Sequence, residues 1–161
     1  MAEILREQGW LAGDATPEQL AWCERAAALL GQHAADRRAL AELLQLVFQY
    51  DAREILARVE THAVVSREGA RDVVRHLALL LLDGAPLTTD RFKEVITSMQ
   101  EALGLRSRDL FHPIRLALAG RTGGGELDRV ILLLDEAAAL SFAGPVKFAR
   151  QRILDFCAAL D

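Results

Sequence analysis

GLRSRDLFHPIRLALAGRTGGGELDRVILLL, residues 104–134, sets two apolar, helix-spaced runs on either side of a glycine loop. The first run ends at Gly120 and the second begins at Leu127, and four of the chain's eleven glycines fall between 120 and 125. Glycine costs conformational entropy on folding, so it collects where the backbone must turn sharply or be approached closely. The same segment is basic. Residues 102–125 hold Arg106, Arg108, Arg115 and Arg121 against Asp109 alone, a net +3 in a chain of net −4, so the remainder sums to −7. Seventeen of the nineteen basic residues are arginine, whose planar forked donors suit phosphates and bases. The acidic average argues against a general nucleic-acid binder, and no DNA partner is expected.

Outward from this stretch the periodicity is helical throughout, and no run alternates as a strand. Thr16-Pro17 opens a helix, with Gln19 completing a capping box, and Leu20, Cys23, Ala27 and Leu30 on one face; it stops at Gly31. A second helix is expected from about 35 to 49, burying Leu40, Leu43, Leu44, Val47 and Phe48. Asp51 caps a third, with Ile55, Leu56 and Val59 apolar. Ser66 opens a fourth over 66–83, which ends at Asp83-Gly84-Ala85-Pro86. Thr88 or Thr89 begins the next, with Phe92, Val95, Ile96, Met99 and Leu103 inward and Gly104 as its stop. Ser107 starts another, with Pro113 in or near its first turn, where a missing N–H is tolerated. Two more run from about 126 to 140 and from Pro145 to Leu160. The expectation is an all-α bundle of about eight helices. The break at 83–86 divides it into an N-terminal helical half, 1–84, and a C-terminal half, 85–161, as one domain or two small subdomains. No fixed-period repeat is present.

The chain lacks the usual marks of chemistry. The longest apolar run, LALLLL at 77–82, is far too short to span a membrane, and no membrane partner is expected. MAEILREQGW carries Glu3, Arg6 and Glu7 where a signal peptide needs an apolar stretch, so the expected location is cytoplasmic. Cys23 and Cys157 have no metal-ligand spacing and read as buried thiols. His33, His62, His76 and His112 are scattered, and His76 reads as a satisfied or half-exposed histidine. GRTGGGEL has neither the lysine nor the preceding strand of a phosphate loop. Asp135 and Glu136 point in different directions on a helix and read as a solvated face. No cofactor, metal site or catalytic residue is expected.

Residues 104–134 resemble the C-terminal anticodon-binding region of bacterial glutamyl-tRNA synthetases. That family shows Leu-Phe-x-Pro-Leu-Arg-x-Ala-Leu-Thr-Gly, a short loop with Gly-Pro-x-Leu, and a Leu-Leu-Gly helix. Leu110, Phe111, Pro113, Arg115, Ala117, Leu118, Gly120, Gly124 and Leu127 keep that order and spacing. Similarity continues upstream through FKEVITSMQEALGL (92–105), FQYDAREILAR (48–58) and DRRALAELL (36–44), covering residues 10–135. The departures are Ala119 for the motif Thr, Gly125 for the loop Pro and Asp135 for the helix Gly. Upstream, Asp36 stands for an Arg, with Arg38 at a Lys position. No His-Ile-Gly-His or Lys-Met-Ser-Lys-Ser type motif is present, so no synthetase catalysis is assigned to this chain.

The resemblance implies an RNA contact. Arg115 takes the place of an anticodon-base reader, and Gly124, Gly125 and Leu127 that of the loop packed on the same nucleotides. Arg106, Arg108, Arg121 and Arg38 supply charge. Unstacked anticodon bases offer edges to an arginine fork and faces to stack on. The expected function is a non-catalytic, tRNA-binding paralogue of a synthetase domain acting in translation, alone or with a synthetase or other protein partner. The alternative is a helical protein-interaction module that kept the fold and lost the RNA. Met1 and the helix-like start favour a free-standing chain over a piece of a longer enzyme.

Overall fold

The computed structural model covers residues 1–161 and consists of ten α-helices with no strand. The short α1 (Ala2–Glu7) precedes α2 (Pro17–Leu30), which ends in a 3₁₀ turn at Gly31–His33. Thr16 and Gln19 form the reciprocal capping box at the start of α2. Its buried stripe is Gln19, Trp22, Cys23, Ala26 and Leu30, so the expected Leu20 and Ala27 face solvent. Trp22 is fully buried. Its ring lies in the core and its Nε1 donates to the Leu133 carbonyl at 3.1 Å.

α3 (Arg37–Phe48) begins at Asp36, whose carboxylate accepts from the Ala39 N–H at 2.8 Å. Asp36, which departs from the family pattern, thus supplies a helix cap. The expected third helix is instead two short ones, α4 (Ala52–Leu56) and α5 (Val59–Val65), and Val59 is 83% exposed. Thr61, fully buried, donates its hydroxyl to the Ile55 carbonyl and stabilises the bend between them. The expected helix over 66–83 also starts later. Ser66 ends α5, and α6 (Ala70–Leu81) begins after Gly69, whose φ of 83° is left-handed. A glycine there reverses the chain where a capping serine would have continued it.

α7 (Thr89–Leu103) runs from Thr88, which caps it, to Gly104 as expected. α8 (Arg108–Ala119) follows Ser107, the one non-glycine residue with positive φ (53°). Pro113 is the sixth residue of α8, in its second turn rather than its first, so it removes one helical hydrogen bond. α9 (Gly125–Ala139) and α10 (Ala149–Leu160) complete the fold. α10 starts four residues after the expected Pro145.

One contiguous cluster of 39 buried residues runs through both sides of the 83–86 break. α9 packs against α2, α3 and α8, while α6 packs against α7, α8 and α10. Trp10 stacks on Phe48 with centroids 4.7 Å apart, and Trp22 and Phe142 meet Phe48 edge-on. Asp135 is half-buried and is no solvated face. Its carboxylate accepts from the Leu87 N–H at 2.7 Å and from the Ala149 N–H at 2.8 Å. It thereby ties the loop before α7 to the first turn of α10. Glu136 pairs with Arg25 at 2.7 Å. No helix is long and apolar enough to cross a membrane.

Candidate nucleic-acid interface

The glycine loop hangs from the C-terminus of α8, and three side chains hold that terminus. The last carbonyls of a helix lack intrahelical partners. Here Tyr50 Oη donates to the Ala117 carbonyl, Arg152 Nη1 to Leu118 at 2.9 Å and Arg58 Nη1 to Gly120 at 2.8 Å. Arg152 is 1% exposed and has no carboxylate within salt-bridge reach. It also donates to Leu46 (2.9 Å) and Val47 (2.6 Å) at the end of α3, and its guanidinium lies 4.7 Å from the Tyr50 ring centroid. Its charge is held by carbonyls and by the negative ends of two helix dipoles. Burial still pushes the guanidinium down to about 10 and pushes the Tyr50 phenol up. Sequence periodicity gave no sign of this buried cation. Its exposed-looking neighbours in ARQRIL conceal it.

Each glycine of the loop has a different reason. Gly120 adopts φ +80°, and a Cβ there would meet Ile55 Cδ1 at 3.2 Å. At Gly123 a Cβ would lie 2.9 Å from Leu127 Cδ1 and 2.9 Å from Glu126 Oε1. Gly124 is the N-cap of α9 with φ −99°, so it does not need the left-handed region. Gly125 faces open space. Gly124 and Gly125 are exposed, whereas Leu127 is 2% exposed. Leu127 therefore supports the loop from the core and offers no side chain to a ligand.

Arg115 is committed to the protein. Its Nε and Nη2 donate to the two Asp128 carboxylate oxygens at 2.8 and 2.9 Å, and Nη1 donates to the Gly123 carbonyl at 2.6 Å. Its guanidinium lies over Phe111, 4.8 Å from the centroid, and the side chain is 13% exposed. Two of the five guanidinium N–H groups remain.

The other arginines separate into two places. Arg121, exposed, borders a hollow of about 250 Å³ with His33, Ala39, Glu42 and Glu126. It also borders an adjoining cleft of about 240 Å³ with Glu42, Asp51, Glu54 and Arg58. Arg38, 89% exposed, meets the same Glu42 at 3.6 Å. The fold thus sets Arg121, in the same loop as Gly124 and Gly125, on the rim of two hollows that Glu42 also borders, while Arg38 pairs with Glu42 one turn away on α3. Arg106 and Arg108 are exposed at the opposite end of α8, which is twelve residues and so about 18 Å long. No three His, Cys, Asp or Glu side chains converge as a metal site.

The model of a family described as the anticodon binding domain matches residues 2–141. The chain belongs to this family. Among relatives of the anticodon-binding domain, the glutamate–tRNA ligase of Geobacillus stearothermophilus is 32% identical over 130 residues, 81% of this chain and 26% of that protein. That of Bacillus subtilis (strain 168) is 28% identical over 136 residues, 84% of this chain and 28% of that protein. Glutamate–tRNA ligase 2 of Syntrophus aciditrophicus is 35% identical over 86 residues, 53% of this chain and 16% of that protein. The chain thus spans about a quarter of the length of the first two relatives. No solved structure matches it.

Proposed function

We propose that the chain binds tRNA through the anticodon loop, without catalysis, alone or with a synthetase. The observation that supports this most directly is the exposed Arg121, which has no salt-bridge partner, borders two hollows with Glu42 and lies in the same loop as the open backbone of Gly124 and Gly125. Exposed arginines reach phosphates and base edges, and a glycine backbone without Cβ admits a base closely. Glu42 and Glu126 accept from base amino groups, as carboxylates do in groove readout. In this reading Arg115 fixes the loop through Asp128 and Gly123 and does not itself read a base.

The test is a titration with a panel of anticodon stem-loops at two salt concentrations. Wild type should bind at least one with salt-dependent affinity. Arg121→Ala and Gly124→Val should weaken that binding, and the chain alone should charge no tRNA with glutamate. Absence of salt-dependent binding to every stem-loop overturns the reading.

The second reading, a protein-interaction module, is favoured by the acidic lining of the same cleft. Glu42, Asp51 and Glu54 oppose Arg58 and Arg121 there. It predicts retention of a protein from lysate that survives nuclease treatment and is lost in Arg121→Ala.

A further inference from the structure

We propose that a second surface, at the corner of α5 and α6 and the start of α8, binds the phosphodiester backbone of RNA without regard to sequence. This rests on the RNA-binding reading above and adds a site away from the glycine loop. Two open hollows meet there. The larger, about 770 Å³, is bordered by Arg67, Arg71 and Arg75 with Asp72. The smaller, about 290 Å³, is bordered by Arg67, Arg106 and Arg108 with Asp109. Arg67 belongs to both, so the surface is continuous.

Five arginines therefore border the two hollows against Asp72 and Asp109, with Asp161 on Arg75, in a chain whose net charge is −4. The sequence disperses these arginines over 42 positions, and only the fold assembles them. Arg71, Arg106 and Arg108 have no salt-bridge partner, and Arg67 contacts only His112, Nη1 to Nδ1 at 3.1 Å. Arg75 meets the exposed Asp161 at 3.3 Å, a pair of little strength in water. Arg71 and Arg75 stand one turn apart on α6, about 6 Å along its axis, and Arg67 precedes the left-handed Gly69 that begins it. Arg67, Arg71 and Arg75 thus border one hollow. Burial, and after it the neighbouring Arg67, Arg115 and Arg108, holds the His112 imidazole below its ordinary pKa.

Phosphate fits this surface better than an acidic protein does. Guanidinium forks pair with phosphate oxygens in two-point contacts. A protein partner needs a buried anchor pocket, whereas both hollows are open and no hydrophobic residue borders the smaller one. Val59, 83% exposed on the lip of the larger one, offers an apolar edge to a sugar or base.

The experiment compares wild type with the double variant Arg71→Glu/Arg108→Glu. Both residues are exposed and unpaired, so circular dichroism should be unchanged. The probes are anticodon stem-loops of several sequences, a scrambled stem-loop and polyglutamate, each titrated over a range of salt. The double variant should lose roughly tenfold affinity for every stem-loop alike, and the log–log salt slope should fall by about 0.7–0.9 per lost contact. Unchanged affinity and slope in the double variant, with Gly124→Val still weakened, would overturn this surface and leave the anticodon reading standing. The converse, a weakened double variant beside an unaffected Gly124→Val and Arg121→Ala, would support this surface and remove the anticodon site. Wild type that binds polyglutamate and no RNA overturns both and assigns the surface to an acidic protein.

Discussion

Arg115 illustrates how the fold supplies partners that a side chain does not show in sequence. As a motif arginine in a basic segment it reads as a ligand contact; in the fold its fork is closed on Asp128 and its Nη1 on Gly123. Removing it would leave Asp128, 24% exposed, without its cation and the loop without its tether. Arg115→Ala should therefore cost about 2 kcal/mol, between the values for exposed and fully buried pairs. Urea denaturation would measure it. Arg115→Lys should recover only part, because an ammonium cannot span both carboxylate oxygens and the carbonyl. A variant as stable as wild type would return Arg115 to the ligand. His112 yields a pH prediction of definite sign. Its folded pKa lies below the ordinary value, so the unfolded chain binds the proton more readily. That contribution to stability is complete above about pH 6.5 and falls as pH drops through the unfolded pKa toward the folded one. His112→Gln should lose less stability than wild type between pH 7.5 and pH 5.5, as read by urea midpoints.

At the scale of elements, the helix ends followed local chemistry and the breaks did not. The Thr16–Gln19 box, Asp51, Thr88 and Gly104 all act where their residue types suggested, because caps and left-handed glycines work within one turn of chain. The division of 51–83 into α4, α5 and α6 was hidden. Its bends depend on buried Thr61 and on the left-handed Gly69, and Leu105 packs within 3.0 Å of a Cβ placed at Gly69. The glycine loop can be tested residue by residue. Gly120→Ala should cost about 1–2 kcal/mol for its left-handed backbone. Gly123→Ala should also destabilise, because Leu127 and the Glu126 carboxylate must move to admit it. Gly125→Ala stands in open space at the first position of α9 and should be neutral or stabilising by up to about 0.5 kcal/mol. Thermal melts of the three variants check the order, and a destabilised Gly125→Ala would mean the loop packs differently.

At the scale of the molecule, the halves 1–84 and 85–161 share ties that a linker would not need. Trp22 donates to Leu133, Ala143 N–H donates to the Trp10 carbonyl, and Arg152 of α10 holds the end of α3. We expect a single cooperative urea transition, coincident by tryptophan fluorescence, which reports Trp10 and Trp22 of the first half, and by far-ultraviolet circular dichroism. Two separated transitions would restore two subdomains. The sequence alone determined the helical class, most of the helix ends and the family likeness. Each depends on spacing within a few residues or on an ordered motif, and such information is local. Only the tertiary structure decided which charges act together. It locked Arg115 to Asp128, set Arg121 on the same hollows as Glu42, and sent Arg106 and Arg108 to the far end of α8 beside Arg67. It also buried Arg152 among carbonyls. Electrostatic partnership depends on distance in space, and packing sets that distance between side chains far apart along the chain.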